Sequence, residues 1–305
     1  QPMLRAYGAL QGWDGVFEYT YNHSPDFQPK RNTYFFSMIA RTDVLAHFPA
    51  CAAMYLRGDV REAQGSMVGS IDDAAFFDRL VKHRAVSANI GTCGIDSRYA
   101  LVHKVAMAFP AEPAGEAARA PSPAAPAWGE VICSDTGELT WNRERPGKAY
   151  WTVDTPNTKL FSGFPEGREI ALNGVKLAIG PTRLGWATVS LTSRHATGFG
   201  AGGTPATVLL AATGVSENEG TRLEPVVSGR SAALRDRTRW GEGTVLAEGV
   251  PAVVTLPSAA AATRCYALDG RGARTGDVPV ESVAGGCRIA IGPQYKTVWY
   301  KLDVR

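Results

Sequence analysis

Cysteine is scarce in this sequence and follows no pattern. The 305 residues contain five, Cys51, Cys93, Cys133, Cys265 and Cys287, with no CxxC pair and no Cys/His cluster, which argues against the usual zinc frameworks. An odd count leaves at least one thiol free. Cys265 and Cys287 fall in two predicted strands and would form a disulfide only if those strands are neighbours, buried free thiols being the alternative. Charge of one sign is also lacking: the net charge is +3 and the 32 basic residues are scattered, so neither nucleic acid nor a membrane surface is an expected partner. No apolar run approaches the roughly 20 residues that span a bilayer as a helix. Catalytic signatures are missing too. There is no GxSxG, and "GFGAGG" (198–203) lacks the Lys-Ser/Thr ending of a phosphate loop and reads as a flexible hairpin. His23, His47, His83, His103 and His195 stand alone and read as surface or cap residues. "DTPNT" and "SENEG" carry oxygen ligands without EF-hand spacing and read as turns, so no metal or cofactor is expected.

What is present is a globular composition, 45% hydrophobic and 20% charged, with enough length for two or three cores. Gln1 is not an initiator, so the chain is expected to be processed or a piece of a longer one. Residues 1–110 mix helix and strand signals. "DVLAHFPACAAMYL" (43–56) and "SIDDAAFFDRLVKHRA" (70–85) place apolar residues at helical intervals, the first with an Asp at its start and a Pro inside. Residues 111–127, "AEPAGEAARAPSPAAPA", have no large apolar side chain and read as an Ala/Pro-rich linker. From Trp128 onward, short β-branched and aromatic runs alternate with Gly, Pro, Asn and Asp, and "DTG", "NG" and "DGRG" supply hairpin turns. That texture predicts sandwich-like β-domains over 128–240 and 241–305.

"YGALQGWDGVFEYTYN" followed by "DVLAHFPACAAMYLRGDV" resembles the last strand, its loop and the last helix of a bacterial (β/α)8-barrel glycoside hydrolase of the retaining clan. "SDTGELTWN", "YWTVDTPNTKLFSGF", "RWGEGTVLAEGVPAVVTLP", "YALDGRGAR" and "TVWYKLDV" resemble the β-rich C-terminal region that accompanies such barrels. The resemblance implies an α+β multidomain fold, with the closing strand and helix of a (β/α)8 barrel ahead of all-β sandwich-like domains. It implies an oligo- or polysaccharide as partner and an extracellular or periplasmic location. Retaining barrels carry an acid/base glutamate after strand four and a nucleophile after strand seven, about 5 Å apart. Both would lie upstream of Gln1, so this chain alone would be inactive and its barrel remnant would await the missing N-terminal segment.

The same resemblance puts sugar-stacking residues at the end of the last barrel strand: Trp13 as a platform for a pyranose face, Asp14 as a hydroxyl acceptor, and Tyr19, Tyr21 and Asn22 on the loop that follows. Packing at a barrel rim for Trp13 and Tyr19, and a turn cap for Asp14, are the alternatives. An acid pair inside the chain is weakly supported, because Asp14 and Glu18 on an extended strand would stand about 13 Å apart; Asp14 with Asp26 or Asp43 has no spacing to favour it. A second functional reading makes the chain a non-catalytic carbohydrate-binding or cell-surface β-module. Trp141, Trp151 and Trp186 could then form a glycan platform, although alternation favours a core position for them. A purely structural or adhesive β-protein is the third reading.

Overall fold

The structure is a computed structural model, and it describes all residues except 35, 72, 84–89, 109–127, 145–146, 166, 196–197, 200–205, 223, 226–231 and 234–239. The linker expected at 111–127, and all but two residues of "GFGAGG", therefore lie outside the described residues. The helices are α1 (Pro2–Leu10), α2 (Thr42–Leu45), α3 (Phe48–Tyr55) and α4 (Asp73–His83). The strands begin with β1 (Ser66–Ser70), β2 (Lys104–Ala108), β3 (Val131–Cys133), β4 (Leu139–Asn142), β5 (Tyr150–Asp154) and β6 (Thr158–Gly163). They continue with β7 (Glu169–Leu172), β8 (Val175–Ile179), β9 (Ala187–Ser193), β10 (Thr207–Thr213), β11 (Ser216–Asn218), β12 (Glu224–Pro225) and β13 (Ala232–Ala233). The last are β14 (Val245–Ala247), β15 (Ala252–Leu256), β16 (Thr263–Leu268), β17 (Arg274–Val278), β18 (Val280–Val283), β19 (Gly286–Ile291) and β20 (Trp299–Val304).

Two antiparallel sheets make the body of the molecule, one of nine strands in the order β17-β16-β20-β10-β9-β6-β5-β4-β3 and one of five in the order β18-β19-β15-β8-β7. Their facing sides enclose one core, with Phe161, Leu191, Leu210 and Tyr300 from the larger sheet against Leu177, Val254, Leu256 and Ile289 from the smaller. Strands from both sides of residue 240 enter it, since β20 lies between β16 and β10 and β15 pairs with β8. Residues 128–240 and 241–305 thus share both sheets. The predicted hairpins form as expected: Asn173 and Gly174 connect β7 to β8, with Leu172 paired to Val175 and Gly174 at φ +77°.

The barrel expectation fails, and so does the α+β barrel-derived fold class. The described chain is predominantly β, in several antiparallel sheets, and no portion of a (β/α)8 barrel is apparent. The segment expected to be the closing barrel strand is α1. Pro2 sits in its first turn, where a missing N–H is harmless, and Ala6, Ala9 and Leu10 recur at helical spacing and are buried. Gly12 ends it at φ +64°, and the Gly12 and Trp13 amides donate to the Ala9 and Gly8 carbonyls, a Schellman closure that a strand cannot make. No described residue from 11 to 41 is in helix or strand. The predicted helix over 43–56 is split into α2 and α3, because Pro49 fits the first turn of a helix but not its interior. The helix predicted over 70–85 appears as α4.

The opening helices cover the second face of the larger sheet. Ala6, Ala9, Leu10 and Met54 pack on Leu139, Trp151, Val153 and Leu160. Strand β6 is consequently buried along all six of its residues, with Phe161 facing the sandwich core and Leu160 facing the helices. Strand β8 alternates buried and exposed residues, with Val175, Leu177 and Ile179 inward and Lys176 and Ala178 in water. The architecture is three layers, helices over a nine-stranded sheet over a five-stranded one. Trp151 lies in the core between helix and sheet and Trp141 packs beside it, whereas Trp186 remains partly exposed, edge-on to Phe164. Cys265 and Cys287 stand on opposite sheets and both are free, so no disulfide joins them. Burial pushes the Cys265 thiol up to about 12.

Candidate functional site

Among the described residues, seven exposed large apolar side chains fall between Trp13 and Phe36: Trp13, Phe17, Tyr19, Tyr21, Phe27, Tyr34 and Phe36. Such a concentration on one segment makes it the candidate surface, since exposed apolar residues are normally scattered singly. The segment is held from both ends. At its start the closure of α1 sets Trp13 against Gly8, where an added Cβ would lie 3.3 Å from the indole. The Tyr55 hydroxyl donates to the Trp13 carbonyl, and Trp13 is 49% exposed.

Further along, backbone bonds draw residues 19–23 beside 34–39. The Thr20 amide donates to the Phe36 carbonyl at 3.2 Å, and the Met38 and Ile39 amides donate to the Tyr21 carbonyl at 3.1 and 3.0 Å. Short polar side chains fix the bend between them. Asn22 Oδ1 accepts from the Ser24 amide (3.2 Å) while its Nδ2 donates to the carbonyls of Ser24 (2.7 Å) and Asp26 (2.6 Å). Ser24 Oγ accepts from the Asp26 amide at 3.2 Å and Asp26 Oδ1 from the Gln28 amide at 2.9 Å. This relay of side-chain turns replaces the regular ladder that the segment lacks. The far end is tied to the β11–β14 pair: Asn218 Oδ1 accepts from the Asn32 amide (2.8 Å), Asn218 Nδ2 donates back to the Asn32 carbonyl (2.7 Å), and the Val245 amide donates to the Lys30 carbonyl (2.9 Å).

This scaffold gathers four rings. His23 stacks on Tyr34 with centroids 5.0 Å apart and on Phe36 at 6.3 Å, and Tyr19 meets His23 edge-on at 5.1 Å and Phe36 at 5.9 Å. Tyr19 is 76% exposed and Phe36 54%. His23 Nδ1 is buried beneath them without a hydrogen-bond partner. Beside the rings lies a cavity of about 560 Å³ whose lining includes Asn22, Ser24, Asp26, Lys30, Asn32 and Glu242. Its wall holds Asp26 and Glu242 against Lys30 and Arg31, so the charges balance and amides and hydroxyls make up much of the remainder. A second recess of about 230 Å³ shares Asn32 and Ala40 with it and adds Arg41, Ser216, Glu217 and Trp240. Ser216 Oγ is buried there without a partner. Hydrogen bonds from Arg41 to Asp43, at 2.9 and 2.6 Å, hold the guanidinium above its usual pKa.

The residues expected to stack on sugar thus fall in different settings. Tyr19 joins the ring cluster, Tyr21 is exposed next to it on an anchored backbone, and Asn22 spends its amide on the turn. Trp13 stands at the end of α1, and Asp14 is exposed on the turn after it. Glu18, the suggested acid partner of Asp14, forms an ion pair with Arg5 at 2.6 Å and accepts from Gln1 at 2.9 Å. His23, Tyr34 and Phe36 were not singled out as binding residues from sequence, where the only signal was the density of Tyr, Phe and His after Gly15. Two other histidines are structural. His47 is buried between Ser190 Oγ and Thr213 Oγ1, each at 2.9 Å, and His103 pairs with Asp135 at 2.9 Å. Among the described residues no three His, Cys, Asp or Glu side chains converge as a metal-binding group.

Comparison with known proteins gives no match: no family pattern fits the sequence, and no curated protein and no solved structure matches it.

Proposed function

We propose that the chain is a non-catalytic carbohydrate-binding β-module, in which the segment from Trp13 to Phe36 receives a neutral oligo- or polysaccharide. The observation that carries this reading is the cluster of exposed Tyr19, Tyr34 and Phe36 around His23, beside a charge-balanced polar cavity. An aromatic face covers the apolar C–H face of a pyranose, and nearby amides and hydroxyls exchange hydrogen bonds with its rim of hydroxyl groups. Balanced charge favours a ligand without ionic groups, and loop turns closed by side chains keep the rings in place before the ligand arrives. Trp13 and Tyr21 extend the platform on this reading, and polysaccharide outside the cytoplasm, extracellular or periplasmic, is where such a module acts.

The test is native affinity electrophoresis of the whole chain in gels containing xylan, galactomannan or hydroxyethylcellulose. Retardation is expected in at least one, and Phe36→Ala should abolish it while leaving the far-ultraviolet circular dichroism unchanged. Equal mobility in every gel, or retardation that survives Phe36→Ala and Tyr34→Ala together, would overturn the proposal.

A further inference from the structure

A separate cavity of about 650 Å³ opens between α3 and the outer face of the larger sheet. Its roof is Pro49, Ala52, Ala53 and Leu56. The pairing register shows how its floor changes along the strands. One cross-strand row contributes Leu268; the next contributes Thr192, Leu209 and Lys301; the third contributes Arg194 and Thr207. Residues two apart on a strand share a face, so these rows form one surface that passes from apolar through hydroxyl to charged over about 13 Å. Thr192 is only 7% exposed, yet its Oγ1 has no hydrogen-bond partner. A buried hydroxyl left unpaired is destabilising unless something else satisfies it.

The cations at the charged end are not equivalent. Lys301 pairs with Asp303 at 2.8 Å, and Arg57 is engaged by Asp59 at 2.6 Å and by the Ser193 carbonyl at 2.8 Å. Arg194 uses its backbone amide to pair with Thr207, is exposed, and lines the cavity. Apolar roof and floor, an unsatisfied hydroxyl and a cation with no acid partner among the described residues together describe the complement of an amphiphile with a single negative charge.

We infer that this cavity binds an aliphatic monocarboxylate, its chain lying over Leu209 and Leu268 beneath α3 and its carboxylate meeting Thr192 Oγ1 and Arg194. The inference is independent of the saccharide reading. It is tested by isothermal titration of the whole chain with decanoate, decan-1-ol and acetate below any micelle concentration, with sedimentation on vesicles of anionic phospholipid as a parallel arm. Decanoate should bind saturably and acetate should not, because the apolar floor supplies most of the attraction. Arg194→Gln should weaken decanoate about tenfold while leaving decan-1-ol unchanged, the effect of losing one charge-assisted hydrogen bond. Ala52→Trp, on the exposed side of α3, should fill the cavity and remove binding of both. Absence of saturable decanoate binding, equal affinity in Arg194→Gln, or binding to vesicles without binding of monomeric decanoate would overturn it.

Discussion

The sandwich and the segment from Trp13 to Arg41 use similar side chains for opposite ends. In the sandwich, Phe161 and Tyr300 are almost wholly buried, each placed by alternation along a strand whose amides are already paired. In the segment, Tyr19 and Phe36 lie open to water on a backbone without helix or strand, held by Asn22, Ser24 and Asp26 side-chain turns. Burial of an aromatic ring is worth several kcal/mol, and a chain that leaves many rings uncovered forgoes that stabilisation. What the difference teaches is a division of labour: the layered core supplies the folding free energy, and the segment it anchors is released to display a surface.

Truncation is the strongest way to break this contrast. Phe161→Ala removes a fully buried ring from the core between the two sheets and should cost about 3–5 kcal/mol, measured by chemical denaturation, whereas Phe36→Ala should shift the same midpoint little. Equal losses would mean that the segment is part of the cooperative core. A smaller effect separates the helices from the sheet. His47 joins α3 to β9 and β10, and burial holds its pKa down at about 3 against an ordinary 6.5. The folded state therefore keeps the imidazole neutral while the unfolded chain takes up a proton below about pH 6.5. The stabilisation is complete above that pH and is lost as pH falls toward 3, with a slope of up to about 1.4 kcal/mol per pH unit. Denaturation midpoints between pH 7 and 4 should fall, and less steeply in His47→Gln, which can still hydrogen-bond to the two hydroxyls but does not titrate; parallel slopes would remove His47 as the cause.

Much of the sandwich could be read from the sequence, because strand period and turn chemistry are local. Val175, Leu177 and Ile179 alternate on the page as they do in the sheet, and Asn173 and Gly174 mark the hairpin that joins their strand to β7. Its assembly was not legible. Nothing local tells that β20 returns between β10 and β16, or that both β-rich regions enter one core, since those pairings join residues far apart in the chain. The barrel expectation failed for a related reason. "YGALQGWDG" carries apolar residues that serve either a buried strand or a helix, and the decision rests on Ala6, Ala9 and Leu10 finding Met54 and Leu160 as partners. Of the candidate surface, Tyr19 and Tyr21 were visible as aromatics on a loop. Tyr34 and Phe36 were not, because only the folded backbone brings residues 34–36 beside Tyr19 and His23.

The finest test of the contrast concerns a residue that touches nothing in the core. Asn22 accepts from the Ser24 amide and donates to two carbonyls within its own bend, so Asn22→Ala deletes the bend's restraint without opening a cavity. Global stability should change by no more than about 0.5 kcal/mol, as for a surface position away from packed groups. Local order should change much more. Amide hydrogen exchange should accelerate over residues 20–39, including the Thr20, Met38 and Ile39 amides that close the segment, while the amides of β6 and β9 keep their protection. Saccharide retardation should weaken in proportion, since the rings would have to be ordered at the moment of binding. If β6 and β9 exchange faster by the same factor, the segment and the sandwich open together and the division between them is not real. If exchange is unchanged everywhere, the backbone bonds to Tyr21 and Phe36 suffice to hold the rings, and the side-chain relay is dispensable.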